Sequence, residues 1–136
     1  EKADAIFHAA SVSDFAFGRI FSAKKPGEFV ALKTSKKIST RHGALLAELL
    51  PTPKIIAELR GWFPKTKIVG WKFEADGKRA DALRAAKRQI TDCSTDACVA
   101  NGPAYGRGFG LVTAREQKHF ADMTKLFAAL EKISES

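Results

Sequence analysis

Three short apolar runs, separated by two stretches of helical periodicity, set the strongest limit on how this chain folds. The runs are AIFHAA (5–10), KIVGW (67–71) and DACVAN (96–101). Each is brief, rich in small or β-branched apolar residues and followed by polar or glycine positions, as strands buried on both faces are. Between the first two lies TPKIIAELRGWF, in which Thr52 reads as an N-cap and Pro53 as the first helical residue, with Ile55, Ile56 and Leu59 on one face. A charged helical stretch from about Lys78 to Thr91 separates the second run from the third. FGLV adds a short strand, and MTKLFAALEKI reads as a closing amphipathic helix with Leu126, Phe127, Leu130 and Ile133 inward. Strands alternating with helices imply βαβ units with right-handed crossovers. The expected fold class is therefore α/β, a Rossmann-like, mostly parallel sheet flanked by helices. Ligands bind such sheets beyond the carboxyl ends of the strands. Those ends are Ala10 to Asp14, Gly70 to Glu74 and Ala100 to Gly102.

At 136 residues the chain has the size of one domain, 1–136, with 45% hydrophobic residues to fill a core. No apolar run approaches the ~20 residues that span a bilayer, and the start does not resemble a signal peptide. The expectation is a cytoplasmic protein with no membrane partner. The chain opens on Glu1, almost directly into a strand, and this reads as a sequence whose beginning lies elsewhere. Cys93 and Cys98 are an isolated pair, read as reduced thiols rather than a disulfide framework. His8, His42 and His119 show no ligand spacing, so zinc is not expected.

The net charge of +8 is concentrated. Arg19, Lys24, Lys25, Lys33, Lys36, Lys37 and Arg41 stand against one acid, Glu28, which places six of the eight net charges between residues 19 and 41. Gly and Pro break the pattern from Ser13 to Lys37, with one candidate strand at EFVAL (28–32), so residues 18–37 read as a basic, mobile loop or flap. Excursions this long in compact domains are usually functional, and the charge suits an anionic ligand. A nucleotide, a phosphorylated metabolite and nucleic acid all fit that description, as does a merely solvated basic loop.

Four features carry candidate chemistry. GPAYGRGFG has the glycines of a phosphate loop but lacks a GK[ST] ending, and it reads mainly as a tight turn. The helix start near Pro53 offers free backbone N–H groups and a favourable dipole to an anion. A lysine such as Lys36 or Lys37 can neutralise charge that develops during acyl or phosphoryl transfer. Trp71, at a strand end in GWKFE, serves either a base or the core.

In the same order, these pieces resemble the phosphopantothenate–cysteine ligase family, the ligase part of the bifunctional coenzyme A biosynthesis flavoprotein. AASVSDF is similar to the family's AAVSDF-type motif, with Ala9, Ala10, Ser13, Asp14 and Phe15 in register. KKIST is similar to its KIKK-type loop, with Lys37 at the reactive-site lysine. Pro53, Lys54, Ile55 and Ile56 match its PDIL or PKIL helix start, and VGWKFE (69–74) resembles VGFKLE. Val99, Ala100 and Asn101 match VAN, followed by GFG at 108–110. The resemblance runs from about Ala3 to Ile133.

The resemblance implies a ligase joining 4′-phosphopantothenate to cysteine through an acyl-nucleotidylate, with Mg²⁺ and a nucleoside triphosphate. CTP is the expected nucleotide, because Gly70 and the PTPKII helix start lean toward the bacterial branch, and ATP is the alternative. It implies catalysis by Lys37 and nucleotide binding by Ala9, Ala10, Asp14, Lys37, Pro53, Lys54, Ile55, Ile56 and Trp71. Asn101, Lys87 and Arg88 are site neighbours. Asp14 faces the nucleotide, either accepting from ribose hydroxyls or holding the metal. A homodimer and a complementary N-terminal ligase portion are the implied protein partners, since the family's first βαβ portion is not in this chain, and no flavin is expected here. The departures are Ser39 and Thr40 in place of later lysines, a longer insertion between Phe17 and Lys36, and Gln89 and Cys93 at helix positions that usually carry lysines. The competing readings are a non-catalytic nucleotide-binding or dimerisation fragment, and a basic nucleic-acid-binding module. The last lacks any recognition motif for DNA or RNA.

Overall fold

The computed structural model describes residues 3–33 and 37–135. In chain order its elements are β1 (Ala5–His8), β2 (Phe15–Lys25), β3 (Glu28–Ala31), a 3-10 turn (Thr40–His42), β4 (Leu45–Pro51), α1 (Ile55–Trp62) and β5 (Lys67–Phe73). They continue with α2 (Arg79–Cys93), β6 (Ala97–Asn101), β7 (Phe109–Thr113), β8 (Gln117–Phe120) and α3 (Met123–Ser134). The chain divides into two compact units, Glu1–Ser11 with Lys54–Ser136, and Val12–Pro53. Among the described residues no helix is long and apolar enough to cross a membrane.

The larger unit has a five-stranded sheet in the order β1-β5-β6-β7-β8. β1, β5 and β6 run parallel, and β7 and β8 are added antiparallel. Alternation along the strands decides which helix each residue meets. On one face Ile68 packs with Ile6 against Ile56 and Leu59 of α1, while Cys98, Ala100 and Val112 meet Ala82 and Ala86 of α2. On the other, Val69, Val99 and Leu111 meet Leu126 and Leu130 of α3. The result is the expected α/β sheet between helices. Ile68, Val69, Val99, Val112 and Leu126 are fully buried. Each contributes about 1.5–3 kcal/mol relative to exposure. Gly70 lets both α1 and α2 seat on β5: a Cβ there would lie 2.7 Å from Ile56 Cδ1 and 2.7 Å from Gln89 Oε1.

Arg60 of α1 ties the amino edge of this sheet. Its Nη2 donates to Asp96 Oδ2 at 2.7 Å, its Nε to the Ser94 carbonyl at 2.9 Å and its Nη1 to the Thr66 carbonyl at 2.9 Å. Asp96 in turn accepts from the Ile68 N–H at 2.8 Å. These charge-assisted bonds fix the edge opposite the strands' carboxyl ends.

The smaller unit is an antiparallel sheet ordered β3-β2-β4. A register shift between Phe17 and Ile20 puts Gly18 and Arg19 opposite Glu48. The Glu48 carboxylate accepts from Arg19 N at 3.1 Å and from Arg19 Nε at 3.2 Å. Those hydrogen bonds from Arg19 hold the carboxyl below its ordinary pKa. A bulge pinned in this way bends the strand. Phe15, Phe17, Leu45 and Leu49 share one face, and Phe29, Leu46 and Leu50 the other; all are exposed.

Several expectations need correction. β2 and β3 form a hairpin turning at Gly27, whose φ is +83°, so part of the basic flap is regular strand. β4 and β8 have no counterpart in the sequence reading. The N-cap of α1 is Lys54, so Thr52 and Pro53 stand before the helix. Thr52 lies two residues before that cap, and its hydroxyl donates to the Ser13 carbonyl at 2.5 Å. Phe127 is exposed, one residue off the Leu126–Leu130–Ile133 stripe. Lys36 lies outside the described residues.

Candidate functional site

Parallel register brings three carboxyl ends of the larger unit to one edge. His8 pairs with Gly70, and Phe73 pairs with Asn101. The expected residues Ala9 and Ala10 therefore leave β1 beside the Trp71–Glu74 end of β5, which itself adjoins Asn101. Ala9 and Ala10 are exposed and small, so a ligand can approach their backbone closely. Asn101 Oδ1 is buried and has no hydrogen-bond partner among the described residues. Leaving such an acceptor unpaired costs about 1–3 kcal/mol. A donor from a ligand would relieve that cost.

The chain is tightly folded here. Glu74 N donates to the Asn101 carbonyl at 2.9 Å, and Ala104 N donates to the Glu74 carbonyl at 3.0 Å. Lys72 and Glu74 form an ion pair at 3.4 Å. Trp71 is half-buried and packs on the α3-side core. Gln89 and Cys93 turn inward rather than toward solvent. Gln89 accepts from Cys98 Sγ at 2.7 Å and donates to the Trp71 carbonyl at 3.4 Å, while Cys93 joins the Ile56–Leu59–Ile68 cluster. Lys87 and Arg88 are exposed on α2. Burial pushes the Cys98 thiol up to about 12, so it stays neutral and inert. Both cysteines are free and buried, as structural thiols are.

At the start of α1, Lys54 makes no side-chain cap bond. The first-turn N–H groups thus keep some capacity for an anion. Ile55 is exposed and Ile56 is buried in the core, so Ile56 reaches a ligand only through its backbone. Pro53, Asp14 and Lys37 belong to the smaller unit. There Asp14 is exposed; its carbonyl accepts from Thr52 N at 2.9 Å, while its carboxylate has no partner among the described residues. Lys37 is likewise exposed. Among the described residues no group of three His, Cys, Asp or Glu side chains could hold a metal. A Mg²⁺ carried by a triphosphate needs one or two carboxylates, and an exposed, unpaired Asp14 fits that demand.

One constellation has no trace in sequence spacing. Arg79 Nη2 lies 2.7 Å from Tyr105 Oη and 2.7 Å from His119 Nδ1, and Tyr105 Oη lies 2.9 Å from the same nitrogen. The Arg79 guanidinium stacks 4.4 Å over the Tyr105 ring. Arg79 opens α2, Tyr105 is in the β6–β7 connection and His119 is in β8, so three separate segments meet.

No protein-family model matches the chain. The coenzyme A biosynthesis bifunctional protein CoaBC of Thermococcus kodakarensis is 31% identical over 102 residues, which cover 74% of this chain. The match spans 22% of that relative's length. In fold, the DNA/pantothenate metabolism flavoprotein of Streptococcus pneumoniae is similar with a TM-score of 0.74 at 21% identity, covering 97% of this chain and 63% of that one. The C-terminal domain of a coenzyme A biosynthesis bifunctional protein CoaBC is similar with a TM-score of 0.51 at 18% identity, over 65% of this chain and 44% of that one. Motif order, sequence similarity and fold agree, and over the matched residues the chain is a homologue of the bifunctional coenzyme A biosynthesis protein CoaBC.

Proposed function

We propose that this chain supplies the nucleotide-facing part of a ligase that joins 4′-phosphopantothenate to cysteine, with CTP as the activating nucleotide and ATP as the alternative. The observation that carries the reading is the shared carboxyl edge, where Ala9, Ala10 and Asn101 converge with an unpaired buried acceptor. A carboxylate does not accept an amine unaided. In the proposed reaction the carboxylate oxygen of 4′-phosphopantothenate attacks the α-phosphorus of CTP, and the bond to pyrophosphate breaks. The cysteine amine then attacks the acyl carbon, releasing CMP and a proton. Both first substrates are polyanions, and this fits a cationic Lys37 and the open N–H groups of α1. Bound Mg²⁺ would neutralise phosphate charge. Asp14 either receives the ribose hydroxyls or holds that metal.

The test is CTP binding, together with pyrophosphate release that depends on 4′-phosphopantothenate. Asp14→Asn should weaken CTP binding about tenfold or more, the usual cost of losing a hydrogen bond to a charged group. A defect that shrinks as Mg²⁺ is raised assigns Asp14 to the metal, and one indifferent to Mg²⁺ assigns it to ribose. Unchanged affinity at every Mg²⁺ concentration removes both roles. Pyrophosphate release that ignores 4′-phosphopantothenate would sink the ligase reading.

A homodimer built on the smaller unit belongs to the same proposal. Its sheet exposes apolar side chains on both faces, with Phe17 at 77%. Patches of this kind usually mark interaction sites. Sedimentation should give a dimer, and Phe17→Lys with Leu49→Lys should give a monomer that is still folded. A wild-type protein that sediments as a monomer at every concentration would rule the dimer out.

A further inference from the structure

We propose that Arg79, Tyr105 and His119 form a clamp that positions the β6–β7 connection, and through it Asn101, at the carboxyl edge of the sheet. The inference deepens the nucleotide-facing reading of that edge and rests on it.

The glycines of GPAYGRGFG lead to the clamp. A phosphate cradle needs glycines that open backbone N–H groups to a ligand, whereas two of these make room for the clamp's own rings. A Cβ on Gly110 would lie 2.6 Å from Tyr105 Cε2, and one on Gly108 would lie 2.5 Å from the Phe120 carbonyl oxygen and 2.6 Å from His119 Cε1. Gly108 also has φ of +87°, where L side chains are disfavoured. Tyr105 is buried at 3% exposure and packs on Ala82, Ala86 and Val112. Its ring packs closely on Gly110 and lies 4.4 Å from the Arg79 guanidinium, its hydroxyl accepts from Arg79 Nη2 at 2.7 Å, and His119 Nδ1 lies 2.9 Å from that hydroxyl.

Donor and acceptor roles follow from Arg79, which is a donor in every protonation state that matters. A nitrogen 2.7 Å from Arg79 Nη2 must accept, so His119 Nδ1 carries the lone pair and the proton sits on Nε2. One guanidinium nitrogen therefore spends both hydrogens on the clamp, one on Tyr105 Oη and one on His119 Nδ1. The connection it holds leads back to the site. Gly106 N donates to the Gly102 carbonyl at 3.1 Å, and Ala104 N donates to the Glu74 carbonyl at 3.0 Å. Gly102 directly follows Asn101. Holding Tyr105 thus limits the freedom of the backbone that aims the unpaired Asn101 Oδ1.

Arg79, Tyr105 and His119 are positioning residues, because none is assigned a contact with substrate. The experiment measures hydrogen exchange of the Ala104 and Gly106 amides and, in the same samples, the Kd for CTP. His119→Ala should speed exchange of those two amides about tenfold or more and raise the CTP Kd by a similar factor, as expected for one lost charge-assisted bond. His119→Gln offers a carbonyl to Arg79 and should restore both readouts, which a merely structural role of the ring would not permit. Tyr105→Phe keeps the buried ring and removes its hydroxyl, so it decides the matter if His119→Ala fails to fold. Unchanged amide exchange in both His119→Ala and Tyr105→Phe overturns the clamp. Faster exchange with an unchanged CTP Kd overturns its positioning role. A wild-type protein that does not bind CTP overturns the nucleotide reading instead, and the amide exchange still decides the clamp.

Discussion

Lys37→Gln is expected to leave the fold intact and to slow acyl-nucleotidylate formation about 10²–10³-fold, the usual cost of removing one preorganised contact to a charged transition state. The two halves of that expectation have separate grounds. Lys37 is exposed, and its ammonium has no ion pair among the described residues. Stability should therefore change by less than about 0.5 kcal/mol, as at most surface positions. Its chemical value comes from charge that gathers on the phosphates as the carboxylate attacks and pyrophosphate leaves. A neutral amide of similar shape can donate a hydrogen bond but supplies no charge. Single-turnover pyrophosphate release, with substrate and CTP saturating, reads this step alone. A rate equal to wild type would remove Lys37 from catalysis. A raised CTP Kd with an unchanged rate at saturation would make it a ground-state binder.

What could be read from sequence followed from how local each signal is. β5, α2 and β6 lie close to their expected bounds, because KIVGW and DACVAN are continuous apolar runs and the helix between them keeps its period. The parallel arrangement follows from that alternation, and with it the meeting of Ala9, Ala10, Trp71 and Asn101 at one edge. LLAELLP carries no local signal for β4, because it is apolar on both faces and so lacks the alternation of a half-buried strand. β2 was hidden for a different reason: its Gly18–Arg19 bulge interrupts the period. The cap falls at Lys54 rather than at Thr52, whose hydroxyl donates instead to the carbonyl of Ser13, 39 residues earlier in the chain. Long-range contact also explains the clamp. Arg79 is 26 residues from Tyr105 and 40 from His119, and no spacing rule joins residues that far apart. The glycines at 108 and 110 were visible, but the rings they accommodate were not.

The other large effect is expected at Gly102, where Gly102→Ala should destabilise the larger unit by about 3 kcal/mol or more. Two independent costs add. Gly102 has φ of +105°, and a side chain in so unfavourable a backbone region costs about 1–3 kcal/mol. Its Cβ would also lie 2.5 Å from the Glu74 carbonyl oxygen and 2.9 Å from Glu74 N. Those neighbours are backbone atoms, fixed by the Glu74 N bond to the Asn101 carbonyl and the Ala104 N bond to the Glu74 carbonyl. They cannot rotate away as a flexible side chain would. Overpacking of this kind costs a further 1–3 kcal/mol or so. Gly106→Ala is the matched control: its φ is +85°, but nothing lies within 4 Å of the added Cβ. It bears the conformational cost alone and should lose about 1 kcal/mol. Urea unfolding of the two variants, read at unchanged m-value, separates backbone strain from collision. Equal losses would mean that the close approach of Gly102 to Glu74 contributes nothing. A larger loss in Gly102→Ala, with CTP affinity reduced even where the protein remains folded, would tie the same contact to the aim of Asn101.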